Sequence, residues 1–238
     1  MSEIDRVSPT RRPQGKNSGI QSWRDLFFLH WPVPQDALRK VVPSELEIDS
    51  HEGTAYVGLV PFQMKNICPT WLPRQFAFNF LETNVRTYVH YRGRPGVYFF
   101  SLDANSRIAV WAARIGWSLP YFYSHLENQV GETSLRYAGR RRKGDYRIEA
   151  EVGEQISPFR IDSLEYFLFE RYLLFVNRKN LLHVGAVHHE PYQVHRGKLQ
   201  SIEENMIRAA GLDHGGGAPT LVHYSPGVDV EVFGLVPA

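Results

Sequence analysis

The sequence predicts a mainly β protein of α+β composition, a curled and largely antiparallel sheet or barrel with a few short helices. Strand signals recur along almost the whole chain, with β-branched and aromatic residues in runs bounded by turn residues. Helix signals are few, and each is short and punctuated at both ends. With 238 residues, 43% hydrophobic and 13% aromatic, the chain can fill one large core, so its length forces no division.

Residues 1–19 are rich in Ser, Pro, Gly and charge, and are predicted to be a disordered extension; residues 20–238 form a single domain. "PQDALRKVV" is punctuated by Pro34 and Pro43 as two helical turns would be. "TAYVGLVPF" (54–62) and "FAFNFLETNVRTYVHY" (76–91) read as strands, the second with Phe76, Phe78 and Phe80 on one face. After a strand near 96–102, Asp103 or Asn105 can cap a helix that runs through Ile108, Trp111 and Ala112 to about Ile115, where Gly116 stops it. Strands near 133–138 and 145–152 precede a helical turn at 164–169, and others follow near 171–177 and 181–189. "SIEENMIRAAG" pairs Ser201 with Glu204 as a capping box and closes on Gly211. The last strands fall near 221–224 and 228–236, and no repeat or linker interrupts the globular part.

Composition excludes several functions. A net charge of +2, with both signs interspersed, leaves no footprint for nucleic acid or a membrane surface. "GRRRKGD" (139–145) is flanked by glycines between two strand signals, as a solvated hairpin tip is. Cys68 is the one cysteine, the start lacks an apolar signal region, and no apolar run reaches the roughly 20 residues needed to span a bilayer. A cytoplasmic protein is expected. In "LLHVGAVHHEPY", His183 and His189 share a strand face but lie too far apart to ligate one ion unaided, and His188 points the other way. "DHGGGAP" matches an oxyanion loop but lacks a nucleophile elbow downstream, so it reads as a mobile loop. With no dinucleotide or phosphate-loop motif either, no cofactor and no metal is predicted.

Three polar residues remain in apolar surroundings. "RIAVWAARIGWSLPYFY" (107–123) carries Arg114 within an otherwise apolar stretch, Arg24 sits in "SWRDLFFLHW", and alternation places Glu82 on the face of the three phenylalanines. A guanidinium stays protonated wherever it is put, so burial requires an anionic partner. Two arginines against one carboxylate can form an internal ion-pair cluster, or leave a cation free for an anionic ligand.

"ALRKVVPSELEID" (37–49) and "GVYFFSLDANSRIAVWAARIGWSLPYFY" (96–123) resemble segments of acetoacetate decarboxylases. The likeness to the YqjF-like family of the same superfamily is closer. It runs from about Asp25 to Val236 through "NVRTYV", "RPGVYFFSLDA", "ERY", "VHHEPY" and "HYSPGVDVEV". The resemblance implies a decarboxylase-like curled barrel with a central pocket and a homo-oligomer. It also implies that Arg24 and Arg114 stand where the decarboxylases have arginines, and Glu82 where they have their pocket glutamate. Their Schiff-base lysine follows the loop proline; here Tyr121 and Phe122 follow Pro120. A phenol forms no imine, so imine-dependent decarboxylation is not expected.

The expected function is a pocket for a small carboxylate, keto-acid-like ligand or other oxyanion. Arg24 and Arg114 would bind it, and Glu82 and Tyr121 would move protons beside a carbonyl, in a lyase or isomerase step. A non-catalytic ligand-binding or sensory module, and a structural protein with an internal Arg–Glu cluster, are the alternatives.

Overall fold

The computed structural model describes residues 3–238. All thirteen strands belong to one sheet. β1 (Gly19–Val33) lies between β3 (Ala55–Pro69) and β13 (Leu221–Pro237), antiparallel to both. β4 (Phe78–Tyr91) pairs with β3 and turns into β5 (Arg94–Ala104), which runs parallel to β10 (Leu173–Arg178). β11 (Leu181–His188) links β10 to β13, and the β1–β13 pairing closes these seven strands into a mixed barrel. From β13 the sheet continues as an arm through β12 (His195–Glu204), β9 (Gly144–Gln155), β8 (Ser134–Arg141) and β7 (His125–Val130). Two short strands, β2 (Glu47–Ile48) and β6 (Tyr121–Tyr123), pair with β4 and β5. The mostly antiparallel, barrel-like class predicted from the sequence is the observed one.

Both faces of the barrel strands are buried, so neighbouring residues serve different cores. Phe27, Leu29 and Trp31 pack in a core shared with Tyr137, Tyr146 and Ile148 of the arm. Phe28, Tyr88 and Val97 belong to a second core, into which two helices insert. These are α2 (Arg107–Trp117), through Ala109 and Val110, and α3 (Leu164–Phe169), through Phe167, Leu168 and Phe169. α1 (Gln35–Arg39) and α4 (Met206–Ala209) complete the helices, and among the described residues no helix is long and apolar enough to cross a membrane.

β1 carries no clean strand signal because it is bulged. Asp25 adopts φ 52°, and the β1–β3 register breaks after Arg24. Trp23 and, beyond the bulge, Leu26 and Phe28 therefore reach the helix-side core although their numbers differ in parity. The Asp25 carboxylate is held by Tyr224 Oη at 2.8 Å and Gln63 Nε2 at 2.7 Å, which fixes the bulge.

Five expectations are corrected. The N-terminal segment is docked: Arg6 bonds the buried Asp49 through both terminal nitrogens, at 2.9 and 2.8 Å, and Arg12 grips Glu231 at 2.6 and 2.8 Å. Its polar composition keeps it out of the core but equips it for ion pairing. Residues 195–204 are strand; the short α4 has Asn205 at its N-cap, and Glu204 rather than Ser201 supplies a side-chain oxygen to its first turn, accepting from Ile207 N–H at 3.2 Å. α2 is capped by Ser106, one residue after Asn105 and three after Asp103, and ends on Ser118 in the left-handed region, two residues beyond Gly116. Finally, Phe76 lies in a 3-10 turn with its ring exposed, and 221–237 is one continuous strand.

Candidate functional site

Alternation along β4 sends Phe80, Glu82 and Tyr88 to one side and Thr83, Val85 and Val89 to the other. Glu82 is consequently buried in apolar surroundings, 3% exposed. α2 then carries the chain from the end of β5 to β6, which lies parallel to β5 with Tyr121 beside Leu102. That crossover aims the Tyr121 hydroxyl at Glu82, to whose Oε2 it donates at 2.6 Å. Burial pushes the Glu82 carboxyl up to about 7; hydrogen bonds from Tyr121 and Asn84 only partly offset this, and the neighbouring Asp103 adds to it. The Tyr121 phenol is pushed well up by its own burial and by the Glu82 charge, so it is a donor at neutral pH.

The two predicted arginines stand elsewhere. Arg24 points away from the core that Trp23 enters; it donates to the carbonyls of Trp23 and Val228, at 2.9 and 2.7 Å, and pairs with Asp229 at the surface. Arg114 lies on the outer side of α2 and donates its Nε–H to the Tyr121 carbonyl at 2.7 Å. The premise that its segment is buried fails, because Ile108, Trp111 and Ile115 are 77%, 67% and 58% exposed. Neither arginine hydrogen-bonds or pairs with Glu82. The structure joins Glu82 to Tyr121 directly and Arg114 to the same tyrosine's backbone, and leaves Arg24 apart.

The cations near the buried acids come from other places. Arg141, in the basic run read as a hairpin tip, is the last residue of β8, and its Nε lies 3.2 Å from Asp103 Oδ1. Its guanidinium carbon sits 4.3 Å from the centre of the Phe122 ring, and Ser124 donates to the same carboxylate oxygen of Asp103. Arg86 follows Glu82 by two alternations on the same strand face, within "NVRTYV". Arg86 has no carboxylate within salt-bridge reach among the described residues. A recess of about 430 Å³, lined by Lys65, Asn79, Phe80, Leu81, Asn105 and Ser106, opens where β4 meets the start of α2. Its walls flank Glu82 on β4 and Ala104, the residue paired with Glu82 across the strands.

A larger groove of about 990 Å³ runs along the arm and the glycine loop. In it, His214 Nε2 and Glu204 Oε1 lie 2.6 Å apart, and Trp31 Nε1–H donates to Gly217 O at 3.1 Å, so the "DHGGGAP" loop is anchored.

The closed seven-strand mixed barrel with short helices is a fold shared with several solved structures. Residues 20–229 match the model of the DUF2071 family, described as "Uncharacterized conserved protein", and the chain belongs to that family. It is similar to the uncharacterized protein YqjF of Bacillus subtilis (strain 168), with 36% identity over 238 residues covering 95% of this chain and 98% of YqjF. Among solved structures, an acetoacetate decarboxylase-like enzyme from Sphingomonas wittichii RW1 aligns with TM-score 0.66 at 10% identity, covering 100% of this chain and 99% of that one. The enduracididine biosynthesis enzyme MppR complexed with pyruvate aligns with TM-score 0.63 at 13% identity, covering 97% and 93%. Acetoacetate decarboxylase from Legionella pneumophila gives TM-score 0.61 at 13% identity, covering 95% and 92%. At these identities the likeness is one of fold.

Proposed function

We propose that the protein binds a small carboxylate bearing a carbonyl, and that Glu82 and Tyr121 move a proton beside that carbonyl. The observation that carries this is the hydrogen bond between two buried titratable groups, one of which changes charge near neutral pH. A carboxyl at about 7 can take a proton from the carbon next to a carbonyl and return it, because both of its forms are populated. Tyr121, protonated throughout, can donate to the enolate oxygen that forms on removal of that proton. The recess lined by Phe80 and Leu81 adjoins the strand position of Glu82, and Lys65 in its lining attracts anions to it. That one fold neighbour is named as a complex with pyruvate agrees with a ligand of this size.

The test is exchange of the methyl protons of pyruvate, or the C3 protons of 2-oxobutyrate, with deuterated water, followed by proton NMR. Exchange above the buffer rate is expected, falling by about a hundredfold or more in Glu82→Gln, as loss of a general base does. Tyr121→Phe should slow it less and leave a residual rate. No enzyme-dependent exchange with any keto acid would reduce the protein to a binder.

Imine chemistry is a separate question with a separate outcome. Borohydride added with acetoacetate should trap no adduct, because Tyr121 occupies the position where the decarboxylases carry their lysine. Mass-spectrometric mapping of an adduct to Lys65 would overturn this, since that amine lines the recess.

A further inference from the structure

We infer that the outer face of α2 is an interface between two copies of this chain, packed helix against helix and antiparallel about a two-fold axis. α2 is apolar on two opposite sides. Ala109 and Val110 are buried and, with Ala113 and Trp117, pack into the helix-side core. Ile108, Trp111 and Ile115 recur at the i, i+3, i+7 spacing of the opposite face and are exposed. Among the described residues, no other helix or strand exposes more than one large apolar side chain. A helix apolar all round belongs between two packed surfaces, and this chain supplies one of them.

The flanks of the stripe show what kind of partner fits it. Arg107 and Arg114 border it on one side, and both guanidinium groups turn down onto β6. Arg107 lies 4.3 Å from the centre of the Tyr123 ring and Arg114 5.6 Å from that of Phe122, and Arg114 is tied further by the Tyr121 carbonyl. Cations held on ring faces do not reach out to lipid headgroups or acidic side chains, so the stripe presents a dry apolar surface. Ala112 and Gly116 border it on the other side, both exposed and one helical turn apart. A Cβ at Gly116 would meet nothing of this chain within 4 Å, so the chain's own packing does not require a glycine there. Small side chains on that flank let a second helix approach to the close end of the ordinary spacing, about 8 Å between axes.

A second α2 is that helix. When two copies run antiparallel with the axis between Trp111 and Ala112, Trp111 meets the partner's Ala112 and Ile108 meets the partner's Ile115. Large then lies against small at the centre, and aliphatic against aliphatic at both ends. Each contact is made twice, as an isologous interface requires. The area also suffices. The three stripe residues expose on the order of 400 Å² of apolar surface, as much as the largest patch of an ordinary monomer. With the polar share usual at an interface, that corresponds to roughly 700 Å² per partner and about 1,400 Å² in all, within the range of stable dimers.

The interface is independent of the chemistry proposed for Glu82 and Tyr121, and so is its test. Sedimentation velocity of the full chain between about 1 and 100 μM should show a dimer. Trp111→Glu should raise the dissociation constant by about a hundredfold or more, as loss of a central aromatic anchor does, and give a monomer with the wild-type circular dichroism. If Trp111→Glu aggregates, Ile115→Ser is the second variant and should weaken the dimer in the same direction. The register is read by disulfide formation. Ile108→Cys and Ile115→Cys in one chain should join two copies under mild oxidation, and Cys68, being buried, does not compete. Either substitution alone should not, because like positions stand seven residues apart along the paired helices, about 10 Å and beyond the reach of a disulfide. A wild type that is monomeric throughout, a dimer unaffected by either stripe variant, or single-cysteine chains that cross-link as readily as the double would overturn the inference. A monomer that cosediments with phosphatidylglycerol vesicles, and loses this in Trp111→Glu, would assign the stripe to a membrane and overturn it as well.

Discussion

Replacing Asp49 with alanine is expected to destabilise the fold by about 3–5 kcal/mol, the largest loss from any single ionic side chain in the molecule. Asp49 is 1% exposed and accepts from Arg171 at 2.7 Å as well as from Arg6. Burial alone would push its carboxyl up, yet the two arginines hold it below the ordinary range. Arg171 is also buried, against the rings of Phe167 at 4.3 Å and Tyr88 at 5.1 Å, with Nη2 unpartnered. Without Asp49 its charge would stand in an apolar core with only the Phe167 carbonyl, at 2.6 Å, to accept from it. Arg6→Ala should cost less, about 1–2 kcal/mol, because Arg6 is partly solvated and the Asp49–Arg171 pair survives its loss. Urea denaturation of the three proteins measures both. A loss below about 1 kcal/mol for Asp49→Ala would mean that the core admits water to Arg171.

Glu82→Gln should change the pH dependence of stability more than any other substitution at the site. The carboxyl titrates at about 7 in the folded chain against an ordinary 4.5. Below the ordinary value Glu82 is neutral in both states, and its contribution to stability is fully present. As pH rises from there, the unfolded chain ionises first, and stability is lost until the folded carboxyl also ionises near 7. The interval corresponds to on the order of 3 kcal/mol. Glutamine retains an oxygen for the Tyr121 hydroxyl and cannot ionise, so the variant should gain on the wild type by roughly that amount between pH 4 and pH 8. Parallel stability profiles for the two proteins would show that Glu82 is not desolvated.

Sequence alone determined the barrel-like β class, α1, α3, the extent of α2 within a turn, and the placing of Glu82 on a core face. Those follow from local rules: alternation, proline and glycine punctuation, and the cost of an unpaired carboxylate on a core face. β1 is not legible in the sequence because its bulge at Asp25 breaks the alternation, and β12 is not because the Ser201–Glu204 spacing fits a helix cap as well as a strand. Tertiary structure decided which charges meet. Glu82 meets a phenol and no arginine, Asp103 takes Arg141 from a run that reads as solvated, and Asp49 takes Arg6 from a segment too polar to join a core. Ion pairing depends on where strands distant in sequence bring side chains together, and composition carries no record of that register. Arg86 stands between the two cases. Its strand face is readable from the alternation that placed Glu82, but its lack of an acidic partner exists only once β1, β3 and β4 lie side by side.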